Sequence, residues 1–211
     1  IPRGIDSERY HAAFTPSDAW LSKWREQQPQ LNGQRVLALP ARLTRWKGQL
    51  DFIQMLSRLR QQDLPVHGLL IGSAHRRKPQ YENELRAAAS AAGLDQHLSF
   101  LGQRNDLREI LAVSDIAYSL TREPEAFGRT TIEALALGTP VIGYNHGGTG
   151  EILGTVFDQG LIDSGDIDAA VAKTSALLRH VPPIRADHPY TTANLQQATL
   201  AVYQELVHLS K

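Results

Sequence analysis

The chain has 211 residues, enough for one α/β domain or two small ones with a sizeable buried core. Lysine plus arginine and aspartate plus glutamate balance at 22 each, so no bulk field favours nucleic acid or a membrane surface. Cysteine is absent, which excludes disulfides, thiolate metal sites and cysteine nucleophiles and suits a reducing cytoplasm.

No apolar run reaches transmembrane length, and no signal peptide is expected. The sequence starts at Ile1 and its only methionine is Met55, so the expectation is an excised domain of a longer product. Residues 1–14 are expected to be extended or loop. Thr15-Pro16-Ser17-Asp18 reads as a helix start, with a capping hydroxyl, proline at the first position and acid in the first turn. Trp20, Leu21 and Trp24 follow at helical spacing, which favours packing over base stacking. Arg35 to Leu39 is a short apolar run and a predicted central strand. A loop with Arg42, Arg45, Lys47 and Gly48 leads to a helix carrying Leu50, Ile53, Leu56 and Leu59. Val66 to Ile71 is a second strand, ended by Gly72. Tyr81, Leu85, Ala88, Ala89 and Ala92 form another amphipathic helix. Leu98 to Leu101 is the third strand, and Asn105 is a candidate cap for a short helix with Leu107, Ile110 and Leu111. Asp115 to Leu120 is the fourth strand.

Glu123 to Pro140 then reads as a loop, a short helix and a turn into a buried strand. Pro124 pushes the residue before it to an extended conformation. Helical signals start at about Phe127; Ile132, Leu135 and Ala136 recur on one face, and Gly138 and Pro140 end the helix. Pro140 to Gly143 is the fifth strand. Gly147-Gly148-Thr149-Gly150 reads as a glycine-rich turn, lacking the Lys-Ser/Thr ending of a P-loop. Gly160 to Ile162 is a sixth strand, and Asp166 opens a helix with Ala170, Val171, Thr174, Leu177 and Leu178 inward. From Thr192 a last amphipathic helix places Leu195, Ala198, Thr199, Val202 and Leu206 in register.

Alternating helices and near-continuous apolar strands predict a doubly wound parallel sheet, Rossmann-like, with about six strands and helices on both faces. Ligands of such sheets bind outside the carboxyl ends of the strands, which gathers the loops holding Arg42 and Lys47, Gly72, Gln103 and Arg104, and Glu125 onto one edge. Seven residues separate Glu125 from Glu133. On one helix they would stand about 12 Å apart along the axis and about 80° apart around it, unable to act as a dyad. With Glu125 in the loop, both flank a helix N-terminus, whose free N–H groups suit an anion such as diphosphate. Carboxylates on either side accept hydrogen bonds from hydroxyls, and a ligand with a diphosphate between two polyols is a nucleotide-sugar. Spacing alone leaves open a blander reading, two solvated glutamates beside an ordinary connection. Arg42 and Lys47 supply a bidentate guanidinium and a mobile point charge for phosphate. His146 reads as a polar loop residue, and His75, Arg76, Arg77 and Lys78 as a wet basic surface that could add a phosphate contact. The histidines show no metal-ligand spacing, and no acidic cluster suggests magnesium.

These motifs resemble the C-terminal, nucleotide-sugar-binding domain of GT-B glycosyltransferases, the retaining group-1 (family 4) enzymes. The opening IPRGID, the ARLTRWKG loop, LLIG, FLGQRNDL, EPEAFGRTTIEALALGTPVI and NHGGTGEI fall in family order. The Glu-x7-Glu segment enclosing Phe-Gly is the most specific of them. The resemblance implies that Glu125 holds hydroxyls of the donor sugar and Glu133 those of the ribose. Backbone N–H groups from Phe127, Gly128, Arg129 and Thr130 would meet sugar and diphosphate, and Gly72 would border the donor. Arg42 and Lys47 would stabilise charge on the leaving group, a role that replaces a metal, so no divalent ion or other cofactor is expected. Gln103 and Arg104 would lie against the base. Ser73, Trp46 and Arg129 depart from the residues commonest in the family, which bears on donor choice.

The implied organisation is a nucleotide-sugar-binding domain over residues 1–190, with 191–211 as its C-terminal helix and an acceptor domain missing upstream. The expected partners are a UDP-, GDP- or ADP-linked sugar and that missing domain, through which alone a membrane would be met; no nucleic acid is expected. The implied activity is hexosyl transfer to a glycan or lipid-linked acceptor, in bacterial cell-surface polysaccharide or lipopolysaccharide synthesis. The location would be cytoplasmic, at the inner face of the membrane in the full-length protein. The isolated fragment is expected to transfer little or no sugar. A nucleotide-sugar epimerase and a non-catalytic nucleotide-sugar sensing module are the alternatives.

Overall fold

A computed structural model of the chain describes residues 1–74 and 80–209. Six strands form one parallel sheet in the order β3-β2-β1-β4-β5-β6. They are β1 (Arg35–Pro40), β2 (Val66–Ile71), β3 (Leu98–Gly102), β4 (Ile116–Ser119), β5 (Val141–Tyr144) and β6 (Leu161–Ile162). The chain winds outward from β1 to β3, then returns to place β4 against the other side of β1. That reversal makes the β1/β4 boundary the topological switch point, where open α/β sheets take ligands.

Alternation along β1 shows why both faces are covered. Leu37 and Leu39 enter the main core with Phe52, Met55 and Leu56 of α2 (Gln49–Gln61) and Leu85 of α3 (Gln80–Ala91). Val36 and Ala38 point the other way, against Trp24 of α1 (Asp18–Gln27) and Ile110 of α4 (Leu107–Ala112). The next helices are α5 (Arg129–Ala136), α6 (Gly147–Val156), α7 (Ile167–Arg179) and α8 (Thr192–Leu209). Trp20 and Trp24 stack at 5.2 Å between centroids, so these tryptophans are packing residues. No helix among the described residues is long and apolar enough to cross a membrane.

Several local expectations need correction. The first helix is capped by Ser17, whose hydroxyl accepts from Trp20 N–H at 3.3 Å, so Pro16 precedes the cap and Thr15 plays no part. Leu50 is exposed, and Asp51 takes the buried place beside it. Asp106, not Asn105, occupies the N-cap position of α4, and its side chain bonds to Arg104 instead of capping. The glycine-rich stretch from Gly147 is the first turn of α6, not a free turn. A Cβ on Gly148 would lie 2.4 Å from the Phe127 backbone, so glycine there lets the helix press against the loop before α5. Gly148 N–H seals that contact by donating to Glu125 C=O at 2.7 Å. Among the α8 residues whose burial is described, only Leu195, Ala198 and Thr199 are half-buried; Val202 and Leu206 stand exposed with Leu200, Tyr203 and Val207. The run His75, Arg76, Arg77 and Lys78 lies outside the described residues.

Candidate functional site

A cleft of about 540 Å³ opens at the carboxyl ends of β1, β2 and β3. Pro40 to Arg42 and Thr44 form one wall, Ile71 to Ala74 the second, Gln103, Arg104 and Leu107 the third; Arg129 and Thr130 close it. These last two are the first residues of α5, so its free N–H groups face the hollow, where an anion gains from the helix dipole. Gly128 caps that helix with φ of 74°, a left-handed turn that brings the loop round onto the cleft. No carboxylate and no imidazole lines this cleft among the described residues.

Six of the residues singled out from the sequence therefore meet here: Arg42, Gly72, Gln103, Arg104, Arg129 and Thr130. Arg104 is already engaged, donating to Asp106 from Nε at 2.8 Å and from Nη2 at 2.6 Å. Burial raises the Asp106 pKa, but bonds from Arg104 and the Trp20 indole outweigh it and hold the carboxyl below its usual range. Arg42 is exposed at the rim.

Lys47 and Glu125 stand beside the cleft, not on its lining. They form an ion pair with each other, with side chains 16% and 20% exposed. Lys47 Nζ also sits 4.3 Å from the centroid of the Trp46 ring. Burial, then the nearby Arg42 guanidinium, lower the Lys47 pKa to about 8. The Glu125 carboxylate in contact with it acts in the opposite direction. Gly48, at φ of 74°, makes this crowding possible: a Cβ there would fall 2.0 Å from Leu120 C=O, so the loops after β1 and β4 touch backbone to backbone.

Glu133 and Phe127 also lie off the cleft lining. Glu133 is buried, and burial raises its pKa while Arg129, Arg9 and a hydrogen bond from Tyr10 pull it back. Arg129 Nε, 3.6 Å from Glu133 Oε1, links this carboxylate to the cleft. Phe127 is half-buried and packs on Tyr190, with ring centroids 6.0 Å apart. His146 is occupied structurally, its Nε2 bonding to Thr121 C=O at 2.9 Å.

Sequence reasoning missed four residues near this site. Tyr10 and Arg9 come from the irregular N-terminal stretch, where no periodicity points to them. Buried Asp51 pairs with the exposed Arg122, and Tyr144 joins them, its hydroxyl donating to Asp51 Oδ2 at 2.6 Å. Here a signal existed: Asp51, Met55 and Leu59 recur every four residues, which puts a carboxylate on the apolar face of α2. Among the described residues no group of three or more histidine, aspartate or glutamate side chains converges as metal ligands.

The family model described as glycosyl transferases group 1 matches residues 22–187. A curated relative, the lipopolysaccharide core biosynthesis mannosyltransferase LpcC of Rhizobium leguminosarum bv. viciae, is 25% identical over 200 residues, covering 94% of this chain and 52% of LpcC. Anabaena Alr3699/HepE, solved in complex with UDP and glucose, is 28% identical with a TM-score of 0.73, over 84% of this chain and 46% of that one. A glycosyltransferase from Rickettsia africae ESF-5 shares the fold at a TM-score of 0.84 and 23% identity, over 97% of this chain and 56% of its own. The chain spans about half, or less, of the length of the curated relatives it matches.

Proposed function

The chain belongs to the group 1 glycosyl transferases, and from that premise we propose that it is the donor-binding domain of a retaining enzyme. The reaction is transfer of a hexose from a UDP-, GDP- or ADP-linked sugar to a glycan or lipid-linked acceptor. The observation that carries this reading is the cleft itself: two arginines, Arg42 and the Glu133-paired Arg129, and the amide end of α5 around one hollow at the switch point.

In this reading the diphosphate lies across the N-terminus of α5, met by backbone N–H groups of Arg129 and Thr130 and by Arg42. Lys47 is one partner exchange away. When diphosphate takes its ammonium, Glu125 is released to accept hydrogen bonds from sugar hydroxyls. Glu133 takes the ribose hydroxyls, with Tyr10 and Arg129 holding the carboxylate. Gln103 and Arg104 border the base, and Gly72 borders the donor from the wall after β2. The chemistry left to this domain is electrostatic: cations and amide dipoles stabilise the leaving diphosphate in a partly dry site, the work a divalent ion does elsewhere. A second, acceptor-binding domain is part of the proposal, since the matched relatives are about twice as long or longer. Alone, the chain should bind donor weakly and transfer little sugar. A cell-surface polysaccharide or lipopolysaccharide acceptor is supported by the relation to LpcC.

Melting the protein with UDP, GDP and ADP in turn tests the reading. One nucleotide should raise the Tm, and Arg42→Ala should cancel the rise. No rise with any of the three would defeat the proposal.

A further inference from the structure

Asp51 is more deeply buried than any other carboxylate among the described residues, at 1% exposure. It lies three residues after Gly48, in the first turn of α2, and lines no part of the cleft. An isolated charge there would be costly, so its partners decide what it does. Arg122, in the loop after β4, donates to it from Nε at 2.9 Å and also from Nη2, and Tyr144 at the end of β5 donates its hydroxyl. The Arg122 backbone N–H in turn donates to Trp46 C=O at 2.7 Å. The Thr121 hydroxyl reaches the same carbonyl at 3.3 Å, and His146 Nε2 bonds to Thr121 C=O. The loops after β1 and β4 are thus joined at Trp46 and Arg122. That junction is one residue from Lys47 and three from Glu125.

We infer that Asp51 is a positioning residue for the donor site: through Arg122 it locks the loop after β4 against the loop after β1, and so sets the Lys47–Glu125 pair. Asp51 touches neither member of the pair. It fixes the backbone segments from which they project, across the crevice where the strand order reverses. Without the clamp, Arg122 has no buried counter-charge and the loop holding Glu125 loses its tie to α2. The consequence for sugar transfer rests on the donor-site reading above; the coupling between the two loops does not.

A double-mutant cycle read by NMR tests the coupling without any ligand. The Lys47 titration midpoint is followed through its Cε resonance in wild type, Glu125→Gln, Asp51→Asn and the double variant. In the wild-type background Glu125→Gln should lower the midpoint by at least about half a pH unit, because an adjacent carboxylate favours the ammonium. In the Asp51→Asn background it should leave the midpoint unchanged. Equal shifts in both backgrounds would overturn the inference. Arg122→Gln, altered on a mostly exposed side chain, runs the same cycle if Asp51→Asn does not fold. For binding, Asp51→Asn should weaken the preferred nucleotide-sugar about tenfold and the matching nucleoside monophosphate less than about twofold, as expected for misplaced diphosphate ligands. Equal losses for both ligands would assign Asp51 to general stability and overturn the positioning role. A wild type that binds no nucleotide would contradict the donor reading, while the NMR cycle would still decide the role of Asp51.

Discussion

Raising the pH from about 7 to about 9 is expected to weaken nucleoside diphosphate binding about tenfold through Lys47 alone. The sign follows from the environment. Burial and Arg42 bring the Lys47 pKa down to about 8, so its charge is present below that pH and lost above it. A diphosphate binds the charged form. The protonated fraction falls from about nine-tenths at pH 7 to about one-tenth at pH 9, a loss of about 1.4 kcal/mol in affinity. Isothermal titration at pH 7, 8 and 9, with the diphosphate that raises the Tm most, measures this directly. Lys47→Gln in the same buffers removes the step while leaving any ionisation of the ligand itself. Parallel pH curves for wild type and Lys47→Gln would refute the reasoning. Glu125→Gln supplies an internal check: without the carboxylate in contact, the step should move to lower pH.

Glu133→Ala should weaken nucleotide binding by about 1–3 kcal/mol, through loss of charge-assisted hydrogen bonds to the ribose. Titration of both proteins with the same nucleotide checks it, and equal affinities would remove Glu133 from the site. Stability should fall in acid through His67 on β2, which is 1% exposed. Burial, then His97, depress its pKa from 6.5 to about 4. The unfolded chain therefore binds the extra proton first, so the contribution is complete above pH 6.5 and declines as the pH falls towards 4. That window amounts to about 3 kcal/mol, readable from urea unfolding at a series of pH values. His67→Gln should flatten this acid limb, and a limb as steep as that of wild type would assign it to other groups.

The sheet was legible because its central strands are buried on both faces. Val66 to Ile71 is apolar almost throughout and forms β2 with the same limits. Helix α6 was hidden because Gly-Gly-Thr-Gly carries poor helix propensity, and tertiary packing against Phe127 overrides it. The loops of the site were placed by topology, since every strand-to-helix connection opens on the same edge. What spacing could not supply is the third dimension of the acids. Seven intervening residues set Glu125 and Glu133 near one helix end, yet Glu133 turns under α5 towards Tyr10, from the irregular N-terminal stretch. Glu125 meets Lys47, 78 positions earlier. Such partners are fixed by the crossing of loops at the switch point, which no local pattern encodes. Asp51 lay between these extremes: its register was visible, but not its counter-charge at Arg122.

The central claim is that a nucleoside diphosphate sits in the cleft at the amide end of α5. Amide chemical-shift mapping of the labelled chain during titration with UDP, GDP or ADP tests it most directly. The account predicts the largest shifts at Arg42, Gly72, Gln103, Arg129 and Thr130. Shifts centred instead on the separate hollow formed by Trp24, Leu31, Val36 and Val113, at the other end of the sheet, would contradict it.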